Sequence, residues 1–297
     1  MEKNNLKGWL YLLPAALLLG VFMVYPLVDV FVYSFEEGFN FASQSFSGTG
    51  IYNYRYVLHD PYFLAALENT FVLVIITVPL STGTALLISL ALSSVKKLRS
   101  LFQTIYFLPY VTNTLAVGLV FMILFKKTAY SDGLVNLLIN LFGGSSVDFI
   151  DGPHWAKMLV LCIYTIWIVM PFKILILLGG LQSINRQYYD AARVDGTSRT
   201  RIFSRITVPL LSPMIAYVVI TGFIGGFKEY TSIVGIFGES MGPVHDSGRL
   251  NTMVGFIYDS LSRNRQGRAS AAALILFVII LIVTLINLQV SKKKVHY

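Results

Sequence analysis

The sequence predicts an all-α membrane protein of six transmembrane helices. Three observations carry this. Hydrophobic residues make up 55% of 297 positions and charged residues only 13%, about half the charged share of a soluble globular protein. Six windows are each long and apolar enough to cross about 30 Å of hydrocarbon. The apolar runs, such as 271–287, are continuous, whereas a membrane β-barrel would alternate apolar and polar residues every second position. A continuous run satisfies its backbone only as a helix. The same composition excludes a disordered chain, a coiled coil and a disulfide-stapled secreted module.

The windows are 9–31, 71–92, 101–125, 158–181, 206–227 and 269–291. Four contain no charged residue; the first carries Asp29 near its end and the fourth Lys173. Each of these two lies a turn or two from an end of its window, so the bland expectation is that it snorkels to water. The first window follows Lys3 and Lys7 but is too long for a cleaved h-region, and no small-x-small site follows Tyr25–Pro26. It reads as a retained span.

Charge sets the orientation. With the N-terminus cytoplasmic, the inside segments 1–8, 93–100, 182–205 and 292–297 hold thirteen Lys and Arg against three acids, net +10. The outside segments 32–70, 126–157 and 228–268 hold nine against eleven, net −2. The positive-inside rule then puts both termini in the cytoplasm of a multi-pass protein of the plasma (inner) membrane. The overall +8 is accordingly a topology signal facing anionic lipid and not a nucleic-acid footprint.

Several chemistries are missing. There is no GxxxxGK[ST] phosphate loop, so the chain is not expected to hydrolyse ATP itself. His59, His154, His245 and His296 are scattered, and no metal site is expected. Cys162, the single cysteine, can form no internal disulfide and reads as a small packing residue. Only Asp29 and Lys173 could serve an ion-coupled carrier. The chain reads as a passage without its own engine.

One inside segment has content. Residues 182–205 are too long for a bare turn. Asn185 is a suitable N-cap, Asp190-Ala191-Ala192-Arg193-Val194 a short helix, Gly196 a sharp turn, and Thr197 or Ser198 the cap of a second helix running into the fifth span through Pro209 and Pro213. A helix–Gly–helix element with small residues and flanking charge suits docking into a partner's groove, and equally a basic amphipathic loop lying on lipid headgroups.

This stretch resembles the coupling motif of ABC-importer permeases, Glu-Ala-Ala, three residues, Gly, then a distal Ile-x-Leu-Pro. Here it is Asp190-Ala191-Ala192-Arg193-Val194-Asp195-Gly196, with Ile206-Thr207-Val208-Pro209 beyond; Asp190 stands where Glu is usual, one methylene shorter. The resemblance covers nearly the whole chain and is greatest to the carbohydrate-uptake branch of maltose and multiple-sugar type. It extends to Gly179-Gly180-Leu181-Gln182-Ser183-Ile184, Asn53-Tyr54, Asp60-Pro61-x-Phe63, Asn69-Thr70, Leu108-Pro109, Gly242-Pro243, Asn251-Thr252 and Ile257-Tyr258. Asn113, where the branch often has Pro, departs from it. So does the outer loop 32–70, which lacks the large inserted domain of some maltose-type members.

The resemblance implies a type I ABC-importer permease fold, a single domain over 1–297 that forms half of an alternating-access pathway for a sugar or oligosaccharide. It implies four kinds of partner: a second homologous permease subunit, two ATP-binding cassette subunits that bind ATP and Mg, an extracytoplasmic solute-binding protein, and a carbohydrate. The chain itself would carry no cofactor, and a solute such as glycerol phosphate is the alternative. The docking residues it implies are Asp190, Ala191, Ala192, Asp195 and Gly196. For the solute, polar or amphipathic residues in or just beyond spans three to five are the candidates: Asn113, Tyr164, Trp167, Glu229 and Tyr230.

Overall fold

The computed structural model describes residues 5–39, 43, 45–95, 99–128, 130–238 and 250–294. Gly242-Pro243 and His245 lie outside them. The chain begins with α1 (Asn5–Leu19), which passes through a π turn (Gly20–Val24) into α2 (Tyr25–Phe35). A two-residue hairpin, β1 (Glu36–Glu37) with β2 (Gly48–Thr49), precedes α3 (Tyr52–His59). Then come α4 (Pro61–Ser94), α5 (Arg99–Val111), α6 (Thr114–Phe125), α7 (Leu134–Leu141) and α8 (His154–Ser183). The short α9 (Arg186–Val194) and α10 (Arg199–Ile202) lead through a second π turn (Phe203–Thr207) into α11 (Val208–Phe227). Last are α12 (Thr231–Phe237), α13 (Met253–Ser262) and α14 (Gln266–Lys294).

Among the described residues five helices are long and apolar enough to cross a membrane: Lys7–Phe35, Pro61–Ser94, His154–Ser183, Arg199–Phe227 and Gln266–Lys292. The third expected span differs. Its two halves, Thr104–Val111 and Thr114–Phe125, meet at 101°. The cause is local. Pro109 removes a backbone donor in the last turn of α5. Asn113 then leaves the helical region (ψ 118°), and its side chain accepts from the amides of Leu115 and Ala116, starting a new helix. The windows of the other five spans lie inside the observed helices.

The chain divides into two compact units. The first joins Met1–Leu64 with Phe256–Val278. In it the Asn53 amide donates to the Ser34 and Glu36 carbonyls, and Tyr54 Oη shares a 2.7 Å hydrogen bond with Ser34 Oγ. Phe63 packs edge-on against Phe256, and the Arg268 guanidinium sits 3.5 Å over the Tyr56 ring. Its first span has no residue of its apolar window buried by the chain itself, as suits a helix surrounded by lipid or another subunit.

The second unit joins Ala65–Gly255 with Ile279–Tyr297. Among its described residues two apolar clusters stand out. One gathers Phe125, Phe149, Leu161, Ile233 and Ile236 around Tyr164. The other gathers Ala85, Leu92, Ile174, Leu177, Leu178, Leu211 and Val218 from α4, α8 and α11. Two Asn-Thr pairs far apart in sequence close on one another: Asn69 Nδ2 donates to the Asn251 carbonyl at 2.9 Å, and the Met253 amide donates to Thr70 Oγ1 at 3.0 Å. Burial of these groups makes each bond costly to lose.

Candidate functional site

Between the two apolar clusters the second unit leaves a cavity of about 450 Å³. Four helices and the α5–α6 break build it. The α8 stripe is Thr165, Ile168, Val169, Phe172 and Lys173, the i, i+3, i+4, i+7, i+8 spacing of one helix face. From α4 come Thr77, Val78 and Ser81, and from the break Tyr110 and Thr114. Thr221, Gly222, Gly225 and Gly226 of α11, then Lys228, Glu229, Thr231 and Ser232, close the remaining side. Glycines on α11 leave the space that side chains would fill.

The wall is chemically mixed. Tyr110 and Phe172 stack with centroids 6.0 Å apart. Thr165 is 3% exposed, yet its hydroxyl has no hydrogen-bond partner. A helical Thr ordinarily bonds the carbonyl one turn back, so this hydroxyl is uncommitted. Glu229 Oε1 accepts from the Tyr230 and Ser232 amides at 3.1 and 2.9 Å, capping α12.

Lys173 does not snorkel. It is 3% exposed, and its ammonium donates to Ser81 Oγ at 2.7 Å, to Thr82 Oγ1 at 2.9 Å and to the Val78 carbonyl at 3.4 Å. The snorkelling expectation fails because α8 extends ten residues beyond Lys173, too far for the stem to reach water, and three neutral acceptors solvate the charge instead.

The five solute candidates are placed unequally. Glu229 lies on the cavity wall. Tyr164 is fully buried behind it, its hydroxyl donating to the Thr114 carbonyl at 2.6 Å. Trp167 packs against Phe121 at 5.6 Å, away from the cavity. Asn113 caps α6 beside the lining Thr114, and Tyr230 sits between Glu229 and Thr231. On α8, Thr165 and Ile168 line the space, and Tyr164 and Trp167, each about 100° of helix rotation away, do not. Thr165 and Lys173, eight residues apart on an otherwise apolar stretch, are the polar signal on the lining face.

At the end of α8 the loop forms a second, shallower site. Asn185 Oδ1 accepts from the Gln187 amide and starts α9. The helix ends in a Schellman motif, with the Thr197 amide donating to the Ala192 carbonyl and the Gly196 amide to the Arg193 carbonyl. Gly196 takes φ +67°, a left-handed conformation that costs any L side chain. Ser198 precedes α10, without a side-chain capping bond. A groove of about 450 Å³ is lined by Tyr188, Ala191, Ala192, Asp195, Thr197, Arg201, Arg205 and Ile206. Asp190 is exposed and pairs with Arg193 at 3.3 Å. Val194 is 88% exposed, an unusual place for a β-branched apolar side chain. All five docking candidates thus lie within seven consecutive residues, on the last turns of α9 and its C-terminal cap. Among the described residues no group of His, Cys, Asp and Glu could hold a metal ion.

Comparison with known proteins gives this arrangement its context. The chain is 32% identical over 286 residues to a lactose transport system permease protein of Rhizobium radiobacter, covering 95% of this chain and 92% of that one. It is 30% identical to an arabinooligosaccharides transport system permease protein of Bacillus subtilis, covering 95% and 88%. Its fold matches a chain in the crystal structure of a bacterial ABC transporter involved in alginate import, with TM-score 0.82 at 23% identity, covering 98% and 96%. The family model for the binding-protein-dependent transport system inner membrane component matches residues 81–296. A family match over more than half of the chain, the loop and the α8 and α11 walls of the cavity included, places this chain in the family of binding-protein-dependent transport system inner membrane components.

Proposed function

We propose that the chain is the permease subunit of an ATP-driven ABC importer and forms half of the pathway of a sugar or oligosaccharide by alternating access. The observation that carries the reading is the make-up of the cavity. A stacked aromatic pair, Tyr110 and Phe172, lines the cavity together with several hydroxyls and the Glu229 carboxylate. Apolar ring faces with a few converging hydrogen-bonding groups are what a polyhydroxylated ring needs. The lactose and arabinooligosaccharide systems of the relatives support the same class. The glycerol phosphate alternative asks for a cation with free donors in the cavity; the Lys173 donors are engaged, so Lys228 on the wall is the cation such a solute would have to use.

The α9–α10 loop is the docking element for an ATPase subunit, with Asp190, Ala191, Ala192, Asp195 and Gly196 at the contact. ATP and Mg belong to that partner. A second permease subunit completes the pathway, and an extracytoplasmic binding protein delivers the solute. Both termini are cytoplasmic, on the charge argument. Purification of the tagged chain in mild detergent tests this. A second six-helix protein and an ATPase should copurify, and hydrolysis with added binding protein should respond to one of lactose, trehalose, maltotriose or arabinotriose. A chain that purifies alone and is inert sinks the reading.

A further inference from the structure

The Lys173 ammonium is a buried charge in a membrane helix, and among the described residues no carboxylate pairs with it. Taking an ammonium out of water costs several kcal/mol even after relaxation. Apolar side chains would pack three helices together at less cost. The charge therefore has work beyond packing, and the geometry identifies it.

All three acceptors sit on one turn of α4, and two of them, Val78 and Ser81, are themselves cavity wall. That turn is inherently soft. Pro79 removes the backbone bond to the Ile75 carbonyl. Ser81 and Thr82 turn their hydroxyls back on the Thr77 and Val78 carbonyls, a pattern that bends helices. On α8 the anchor is next to Pro171, the second weakened point. From α11, Gly222 lets the ammonium approach: a Cβ there would stand 3.1 Å from Nζ and 3.3 Å from Val78 Cγ1.

We propose that Lys173 is a positioning residue for the solute. Its ammonium gathers Ser81, Thr82 and the Val78 carbonyl as a bound cation would, and so fixes the Thr77–Ser81 face of α4 against the Thr165–Phe172 stripe of α8. This rests on the reading of the cavity as the solute site.

The test is a double-mutant cycle in the assembled importer, Lys173→Met against Ser81→Ala/Thr82→Val, read by saccharide-stimulated ATPase and by thermal melting. Lys173→Met should raise the KM for the stimulating saccharide about tenfold or more, the worth of one hydrogen bond to a charged group. Its kcat should change less than about threefold, because only the bound geometry is disturbed. In the Ser81→Ala/Thr82→Val background the same substitution should add less than about twofold. Lys173→Gln, which keeps two donors, should recover part of the loss. Gly222→Ala, which leaves all three acceptors in place but crowds the ammonium, should raise KM in the same direction and serves if Lys173→Met does not assemble. Additive effects, an unchanged KM, or equal losses in KM and kcat with no recovery by Gln overturn the proposal. A wild-type complex that assembles and melts cooperatively but answers to no saccharide overturns the carbohydrate reading instead. Non-additivity in melting then still reports the Lys173 contact, and additivity there still sinks it.

Discussion

Gly118 of α6 and Gly235 of α12 lie backbone against backbone: a Cβ built on Gly118 would stand 2.5 Å from the Gly235 carbonyl carbon. Small residues facing each other are how membrane helices approach closely. Here the contact joins the half-span after the α5–α6 break to the short helix capped by Glu229. Gly118→Ala would gain roughly 1 kcal/mol in helix propensity. With backbone rather than flexible side chain in the way, overpacking of about 1–3 kcal/mol outweighs that gain. The expected outcome is a lower melting temperature in detergent, whereas Gly83→Ala, with nothing within 4 Å, should raise it.

Thr165→Val should separate binding from stability. The swap keeps the shape and removes a hydroxyl that has no partner. Burying a methyl in place of an unsatisfied hydroxyl is neutral to favourable, so the melting temperature should hold or rise. The KM of saccharide-stimulated ATPase should rise several-fold, about one neutral hydrogen bond. An unchanged KM would remove Thr165 from the solute's path.

The loop makes an opposite prediction. The Asp190–Arg193 pair is exposed on both sides, so reversing it with Asp190→Lys should cost at most about 1 kcal/mol of stability. Gly196→Ala forces a side chain into φ +67°, at about 1–2 kcal/mol. Both variants should insert normally, fail to retain the ATPase on purification, and abolish uptake. Normal uptake in both would show that the loop is not the docking element.

Buried polar contacts set a third kind of expectation. Asn69→Leu removes the Nδ2 donation to the Asn251 carbonyl in a buried setting. The loss should be about 1–3 kcal/mol, visible as a lower melting midpoint, with little change in solute KM because neither residue lines the cavity.

Orientation can be read by labelling. Val194 is 88% exposed and Tyr130 fully exposed. Single cysteines there, in a Cys162→Ala background, should react with an impermeant maleimide from opposite faces of the membrane. Position 194 should react only after the cells are opened. Labelling of both from one side would contradict the charge-based topology.

Much of this molecule is legible in its sequence because a bilayer permits few solutions. Continuous apolar runs give the helices, and Asn185 and Gly196 outline the loop, since caps and left-handed turns need particular side chains. The break at Thr112–Asn113 is hidden because both halves are apolar enough to read as one run, and hydropathy is blind to direction. The cavity is faintly marked: Thr77 and Ser81 on α4 and Thr165 and Lys173 on α8 share the lining faces, but they are few among apolar neighbours, and the α11 glycines carry no polarity. Lys173 was visible as a charge, but its partners Ser81 and Thr82 are ninety residues away and ordinary in themselves. The Asn69-Thr70 and Asn251-Thr252 pairs were noticed separately, and only the fold brings them together.

The helix from Arg199 to Phe227 runs unbroken through its π turn, and this has a mechanical consequence. Arg201 and Arg205 line the loop groove at one end, while Thr221 to Gly226 line the cavity at the other. At 1.5 Å per residue the two ends are about 30 Å apart. Such a rod is a lever: a tilt of about 10° around its middle carries each end roughly 2–3 Å, in opposite directions. A push of that size at the groove therefore arrives at the cavity undiminished and reversed, as a displacement large enough to make or break a hydrogen bond.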